Sequence, residues 1–239
     1  MTTSPSRRKR IGWVVDVQND FMRPDGRLYV HDLFDPHDVG ASQAAPAIVR
    51  AVEWMRTHCD VVVFTGDWHA YGDREIDTVA PDATRGTYPP HCMGLSPNAV
   101  ERQGAALIAE VDPGPSALVL PRDAAGTLAA DIARRAVTER RAVFVQKREF
   151  SVFDGNSGAT AFVAALRAAL GGDPEFVVCG VATDVCVKQA VDGLLDRTAT
   201  VTVLRDATWS LGLLRPADTF ELWTQRGARL SDTSHLDRV

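Results

Sequence analysis

Short apolar runs alternate with longer amphipathic segments along most of this chain. Six of the runs are rich in valine and hardly alternate apolar with polar residues, which is typical of parallel strands covered on both faces. The predicted strands span residues 11–17, 61–66, 117–120, 142–146, 176–181 and 199–204. The predicted helices span residues 43–58, 97–110, 124–139, 158–170, 184–196 and 215–226. This alternation predicts an α/β fold, doubly wound, with a mainly parallel six-stranded sheet flanked by helices on both faces.

Two segments follow neither pattern. Residues 67–97 show no period and are rich in Asp, Gly, Pro and Thr, and residues 22–41 have the same character more weakly. A loop as long as the first is usually functional when it lies inside a compact domain. We find no internal repeat and no linker in the sequence, so we expect one domain over residues 11–239, preceded by a flexible N-terminus over residues 1–10.

Composition narrows the function classes. The net charge of -5 gives no reason to expect nucleic acid as a partner. No apolar run approaches the roughly 18–20 residues of a membrane helix, so we expect no membrane association. The basic start has no small-residue cleavage site, and a signal peptide is not expected. The chain has four cysteines and no C-x-x-C pair, which indicates reduced thiols and a cytoplasmic protein rather than a disulfide framework.

Reactive residues follow several of the predicted strands. Open α/β sheets bind ligands beyond the carboxyl ends of their strands, and Asp16, Asp67, Lys147 and Cys186 fall at or just after such ends. Three of them have an ordinary explanation when taken alone. Asp16 could cap a loop, Lys147 could extend to solvent, and Cys186 could be a small buried apolar residue. Their coincidence at one edge of the sheet favours a catalytic group instead.

Cys186 falls in the first turn of the predicted helix 184–196. Free N–H groups in a first turn favour an anion, and Lys147 would add a positive charge, so we expect a lowered thiol pKa. Asp16 would take the thiol proton and later pass it to a leaving group. Thr183 is a candidate N-cap, and the backbone amides of Ala182 and Cys186 would hold an oxyanion. Asp184 opposes the thiolate.

A second cluster consists of Asp67, His69 and His91. Asp67 and His69 are two residues apart and face the same side of an extended segment. His91 follows Tyr-Pro-Pro, a conformationally restricted segment that would fix the direction of the histidine ring. One carboxylate and two imidazoles suit Zn²⁺, Fe²⁺ or Mn²⁺ with open coordination positions. The alternative is a loop with solvated histidines.

The sequence also resembles a known family. Asp16 in DVQNDF, Lys147 in VQKREFSVF and Cys186 in GVATDVCV are similar to the three motifs of the isochorismatase-like cysteine hydrolases, and the resemblance runs from about residue 11 to 208. It implies a parallel sheet flanked by helices. It also implies that these three residues are the catalytic triad.

Within that family the resemblance is strongest to the nicotinamidases, through GDWH and TYPPHC. It implies a divalent metal, zinc first and otherwise iron or manganese, on Asp67, His69 and His91. It further implies a cis peptide between Val181 and Ala182 and an oxyanion hole made by the Ala182 and Cys186 amides. The implied substrate-binding residues are Phe21, which would pack on the substrate ring, together with Tyr88 and Val181.

The sequence departs from the nicotinamidase pattern at four places. Arg74 lies near the position of an expected second histidine, and Tyr88 replaces the usual tryptophan. The glutamine-rich stretch after His91-Cys92 is replaced by MGLSPNA, and residues 121–141 resemble an extra strand–helix piece. These departures leave the amidohydrolase residues in place and bear on the substrate.

The favoured function is a metal-dependent nicotinamidase that converts nicotinamide to nicotinic acid and ammonia through a thioester on Cys186. The alternative enzyme is a family amidase that acts without metal on another small amide, ureide or carbamoyl compound. A non-catalytic binding protein is a third hypothesis, and isochorismate cleavage is disfavoured because the family members that perform it need no cysteine here. We expect a small-molecule amide substrate and a homo-oligomer.

Overall fold

A computed structural model describes residues 8–197 and 200–239. Its seven strands form one parallel sheet in the order β3-β4-β2-β1-β5-β6-β7. They are β1 (Arg10–Val15), β2 (Val61–Asp67), β3 (Leu118–Leu120), β4 (Val143–Lys147), β5 (Glu175–Val181), β6 (Val201–Trp209) and β7 (Arg229–Ser231). The predicted parallel α/β sheet is confirmed, with one strand more than the six expected.

The additional strand is β7, which pairs with β6 at the edge of the sheet. Its three residues are exposed or half-buried, so no apolar run marks it in the sequence. At the other end of the chain, β1 already includes Arg10. The predicted flexible N-terminus falls largely on residues 1–7, which lie outside the described residues, and the single-domain division stays a prediction.

The longer helices agree with the amphipathic pattern, with small shifts at their ends. The helices are α1 (Asn19–Met22), α2 (Ala45–His58), α3 (Ala99–Ala105), α4 (Gly126–Thr138), α5 (Val152–Gly155), α6 (Ala159–Leu170), α7 (Cys186–Arg197) and α8 (Pro216–Gln225). The Asn98 side chain caps α3, which ends five residues before its predicted limit. Helix α6 ends at Leu170, and the Gly171 that follows has a φ of 75°, the left-handed conformation expected of a helix stop.

Two apolar cores cover the two faces of the sheet. One packs Trp13 and Phe176 of the central strands against α4, α6, α7 and Trp223 of α8. The other packs Val14 and Phe64 against α2 and the segment around Ile108. Strands β1 and β5 are covered on both faces, so their carboxyl ends are held rigidly. Asp16 follows the end of β1, and Cys186 comes shortly after the end of β5.

The connections differ from one expectation. Residues 121–141 form α4 and its flanking turns, and the short strand β3 comes before them, so this segment is a single crossover helix rather than a strand–helix pair. Parallel neighbours such as β3 and β4 need a crossover of this kind. Among the described residues no helix is long and apolar enough to cross a membrane.

Candidate active site

The adjacent strands β4, β2, β1 and β5 bring four reactive residues to one edge of the sheet. Asp16 follows β1, Asp67 ends β2, Lys147 ends β4, and Cys186 begins α7 shortly after β5. All four are buried. Their meeting beyond the carboxyl ends is the arrangement that the sequence predicts for a binding site.

The ammonium group of Lys147 is the centre of this cluster. Its Nζ lies 2.9 Å from Oδ2 of Asp16, contacts Oδ1 of Asp67, and lies 3.7 Å from Sγ of Cys186. The ligand-type atoms of Asp16, Asp67 and Cys186 are mutually within 4.8 Å, and Lys147 supplies the positive charge between them. The two carboxylates in turn raise the pKa of Lys147 well above its ordinary value, although burial alone would lower it. Lys147 is therefore a permanent cation at the edge of the sheet.

Asp16 is held firmly as well as buried. Its φ of 53° is uncommon for a residue other than glycine, and the Thr65 hydroxyl donates to its Oδ1 over 2.7 Å. Burial raises the pKa of Asp16 above its ordinary value, and the Lys147 charge and the Thr65 hydroxyl act in the opposite direction. A carboxylate with a raised pKa is better suited to accept and return a proton than an exposed aspartate.

Cys186 departs from one expectation. Burial raises the pKa of its thiol well above the ordinary value, and Lys147 offsets this only in part. The predicted lowering of the pKa is therefore wrong for this arrangement, because desolvation of the thiolate outweighs the nearby positive charge. A neutral resting thiol makes a proton acceptor necessary, and a carboxylate oxygen of Asp16 lies within 4.8 Å of Sγ of Cys186.

The chain between β5 and α7 carries the predicted oxyanion donors. The peptide between Val181 and Ala182 is cis, as the resemblance implies. The Thr183 amide donates to the Trp209 carbonyl, and the Val185 and Val187 amides donate to the Ala182 carbonyl. None of these three bonds uses the amide of Ala182 or Cys186. Because α7 begins at Cys186, Thr183 lies too far before the helix to be its N-cap.

The expected metal ligands also meet. Oδ2 of Asp67 lies 3.7 Å from Nε2 of His69 and 3.8 Å from Nε2 of His91. A fourth residue, Glu75, joins them, with Oε2 also 3.7 Å from Nε2 of His69. All four are buried and offer ligand atoms within 4.8 Å of one another. Ligands about 2.1 Å from a shared zinc ion in a tetrahedron are about 3.4 Å apart, so the spacing is close to that of a common cation site.

The donor set fits a cation chemically. Within the described chain, Nε2 of His69 and both carboxylate oxygens of Glu75 are buried without a hydrogen-bond partner, whereas Nδ1 of His69 lies 3.4 Å from Oδ2 of Asp73. Burial raises the pKa of Glu75 to about 8, and although burial would lower that of His69, Asp67 and Asp73 raise it to about 9. Both raised pKa values mean that the buried cluster favours the uptake of positive charge. A divalent ion supplies that charge and gives the buried groups a partner.

One histidine is oriented by a backbone carbonyl. Nδ1 of His91 lies 2.7 Å from the Pro89 carbonyl, which can only accept, so the proton is on Nδ1. The other ring nitrogen, Nε2, faces Asp67 and the rest of the cluster. This backbone contact is the usual way in which a metal-binding histidine is oriented.

A small cavity is lined both by the cysteine and by two of the proposed ligands. It is bounded by Cys186, Asp67 and His91 and by apolar side chains. All three predicted substrate-binding residues, Phe21, Tyr88 and Val181, line it. The apolar wall is completed by side chains that the sequence does not single out: Leu28, Val30, Phe150, Val185 and Leu211. The cavity suits a small, flat, largely apolar substrate.

Three supporting residues are missed by sequence reasoning. Glu75 follows Arg74, so a departure from the family pattern at one residue hides a ligand at the next. Gln18 accepts from the Asp67 amide over 2.7 Å and donates to its carbonyl over 2.8 Å. Oδ2 of Asp20 accepts from the Cys92 amide over 2.7 Å, next to His91. Both lie in DVQNDF, a polar stretch after a buried strand, which is the signal that marks them.

The model of the isochorismatase domain matches residues 13–235. The chain belongs to the isochorismatase family. This confirms the family that the motifs around Asp16, Lys147 and Cys186 indicate, and it supports a family hydrolase over a non-catalytic binding protein. A search of the curated proteins found no significant match.

Solved structures share the isochorismatase-family fold over nearly the whole chain. N-carbamoylsarcosine amidase from Thermoplasma acidophilum is 22% identical, with a TM-score of 0.60 over 94% of this chain and 96% of that one. Pyrazinamidase of Pyrococcus horikoshii, in complex with zinc, is 22% identical, with a TM-score of 0.61 over 94% and 99%. Pyrazinamidase/nicotinamidase from Streptococcus mutans is 21% identical, with a TM-score of 0.64 over 93% and 100%.

Proposed function

We propose that this protein is a metal-dependent cysteine amidohydrolase that converts nicotinamide to nicotinic acid and ammonia. The observation that carries the proposal is that Cys186 and two members of the histidine–carboxylate cluster, Asp67 and His91, line one small apolar cavity. A nucleophile and an electrophilic anchor in one apolar cavity match a flat ring with a carboxamide. The pyrazinamidase that resembles this chain in fold holds zinc.

The first half of the proposed reaction forms a thioester. Asp16 takes the proton from the Cys186 thiol, and the thiolate attacks the amide carbon. The amides of Ala182 and Cys186 hold the oxygen that becomes negative. Asp16 then returns its proton to the nitrogen as the carbon–nitrogen bond breaks, which releases ammonia and leaves the acyl group on sulfur.

The second half hydrolyses the thioester. Asp16 accepts a proton from water, the oxygen of which attacks the acyl carbon, and the carbon–sulfur bond breaks. The acid product leaves, and the proton held by Asp16 returns to Cys186. Lys147 stays protonated throughout and stabilises the negative charge that alternates between Asp16 and Cys186.

Asp67, His69, Glu75 and His91 would hold the divalent ion. That ion would supply an electrophilic contact for the ring nitrogen and so orient the carboxamide towards Cys186. Zinc fits two imidazoles with carboxylates, and iron or manganese fits the same donor types. Phe21, the ring centroid of which lies 5.4 Å from that of His91, would pack on the substrate ring with Tyr88.

The test uses protein purified without chelators. Metal content is measured first, and ammonia release from nicotinamide is then followed in the wild type and in Cys186→Ala. We expect about one divalent ion per chain and activity that is lost in Cys186→Ala, lost after chelation, and restored by added metal. Equal activity in wild type and Cys186→Ala would exclude the proposal.

A second candidate is hydrolysis of another small amide, ureide or carbamoyl compound without metal. The chain shares its fold to the same degree with N-carbamoylsarcosine amidase, and Tyr88 replaces the tryptophan of the nicotinamidase pattern. Protein that carries no metal and hydrolyses a carbamoyl compound, but not nicotinamide, in the presence of chelator would favour it. A cytoplasmic location and a homo-oligomeric state stay predictions.

A further inference from the structure

The proposed mechanism gives no task to Asp184, the acidic residue two positions before Cys186. Its side chain is buried, and its carboxylate accepts three backbone N–H groups. Oδ1 accepts from Leu211 over 2.9 Å, and Oδ2 accepts from Leu213 over 2.8 Å and from Leu214 over 3.2 Å. All three donors belong to one segment that follows β6.

We call residues 209–214 the strap. Leu211 of the strap is buried and lines the cavity that Cys186 also lines. The turn before Cys186 holds the strap at a further point, because the Thr183 amide donates to the Trp209 carbonyl over 2.7 Å. The strap therefore forms a wall of the cavity that is fastened to the catalytic turn.

The strap is held from the other side by residues 28–38. The Leu33 amide donates to the Leu211 carbonyl over 3.0 Å, and Nε1 of Trp209 donates to Asp38 over 3.0 Å. Gly212 has a φ of 79°, and a Cβ at this position would lie 2.2 Å from Oδ1 of Asp32. Leu28 and Val30 of the same loop line the cavity, so the strap and this loop form one wall.

We propose that Asp184 is a positioning residue that fixes the strap against the catalytic turn and so limits the size of substrate that reaches Cys186. The proposal rests on the proposed function, because it assigns specificity to the same cavity. Three N–H donors on one carboxylate are charge-assisted and fix the direction of the strap backbone. They also disperse the Asp184 charge, which would otherwise oppose a thiolate on Cys186.

The test is Asp184→Asn, which keeps the size of the side chain but leaves one acceptor oxygen and turns an NH₂ group towards a backbone N–H. We expect hydrogen exchange of the Leu211, Leu213 and Leu214 amides to rise about tenfold or more, since a lost hydrogen bond to a charged group is worth at least that factor. KM for nicotinamide should rise about tenfold while kcat changes less than about threefold. A bulky maleimide should modify Cys186 faster, whereas the rate with small iodoacetamide should change little.

The matched control is Glu175→Gln, since Glu175 is also buried but lies at the opposite end of β5 and contacts Arg229 and Thr202. It should leave hydrogen exchange of the strap amides at the wild-type rate. It should also leave unchanged the ratio of the maleimide rate to the iodoacetamide rate at Cys186. A second variant, Gly212→Ala, perturbs the strap without touching Asp184 and should raise strap exchange and maleimide labelling in the same direction.

Asp184→Asn with wild-type strap exchange and labelling would overturn the inference, and so would a uniform rise of exchange over the whole chain. A wild type that does not hydrolyse nicotinamide contradicts only the proposed substrate. Exchange and labelling still decide the role of Asp184 in that case.

Discussion

Asp67 and Lys147 form a buried ion pair that joins the catalytic cluster to the proposed metal ligands. One carboxylate oxygen of Asp67 contacts Nζ of Lys147, and the other faces the Nε2 atoms of His69 and His91. The Lys147 charge and the two histidines hold the pKa of Asp67 well below its ordinary value, although burial alone would raise it. The catalytic cluster and the proposed metal ligands therefore share the negative charge of Asp67.

This sharing separates the effects of two ligand substitutions. His91→Ala removes a proposed ligand but leaves the Asp67–Lys147 pair in place, so we expect activity to fall at least tenfold at low metal and to recover largely in excess metal. Asp67→Asn removes a ligand and also the partner of Lys147, so excess metal should restore metal content but not activity. Metal content and kcat measured across a metal titration check this. Full recovery of both variants would show that Asp67 acts only as a ligand.

Lys147→Met should destabilise the fold as well as abolish activity. It leaves Asp16 and Asp67 buried without their shared cation, and breaking a buried ion pair in this way costs about 3–5 kcal/mol. The matched control is Lys188→Met, since Lys188 is half-buried and pairs with Asp192 one helical turn on, which is worth less than about 1 kcal/mol. Urea unfolding of both variants gives the comparison. Equal losses of unfolding free energy would contradict the central position of Lys147.

The sheet and the catalytic residues are predictable because their signals are local. Valine-rich runs identify six strands, and the carboxyl-end rule then places Asp16, Lys147 and Cys186 together. The edge strand β7 is hidden because it pairs through its backbone and buries little apolar surface. The direction of the Cys186 pKa shift is wrong from sequence since burial, which decides it, depends on the packing of distant residues.

The metal ligands likewise divide into three that the sequence predicts and one that it does not. Asp67, His69 and His91 follow from spacing and family resemblance, whereas Glu75 lies in a segment without period, where only the folded chain shows which side chain turns inwards. The partners of Asp184 could not be predicted either, because they are backbone amides of a segment 27–30 residues away. Backbone donors carry no sequence signal.

Thr65→Val should move the acid limb of the pH–activity profile to higher pH. Asp16 must be ionised to take the Cys186 proton, so activity falls as pH drops through its pKa, which burial has raised above the ordinary value. The Thr65 hydroxyl donates to Asp16 and favours the ionised form, and its removal raises that pKa further. The pH dependence of kcat/KM checks the shift, with Thr202→Val, whose hydroxyl serves the distant Glu175, as control. An acid limb at the same pH in all three proteins would contradict the assignment of Asp16 as the base.

Gly104→Ala should weaken metal binding without touching a ligand. A Cβ at Gly104 would lie 2.1 Å from Oδ2 of Asp20, the same oxygen that accepts from the Cys92 amide next to His91. Displacement of Asp20 shifts the backbone that aims His91, and loss of a supporting contact of this kind lowers metal affinity about 10–100-fold. Gly172→Ala is the matched control, since within the described part of the chain no atom beyond its two sequence neighbours lies within 4 Å of its Cβ position. Metal affinity measured by competition with a chelator should fall only in Gly104→Ala, and unchanged affinity in a folded Gly104→Ala protein would mean that Asp20 does not orient His91.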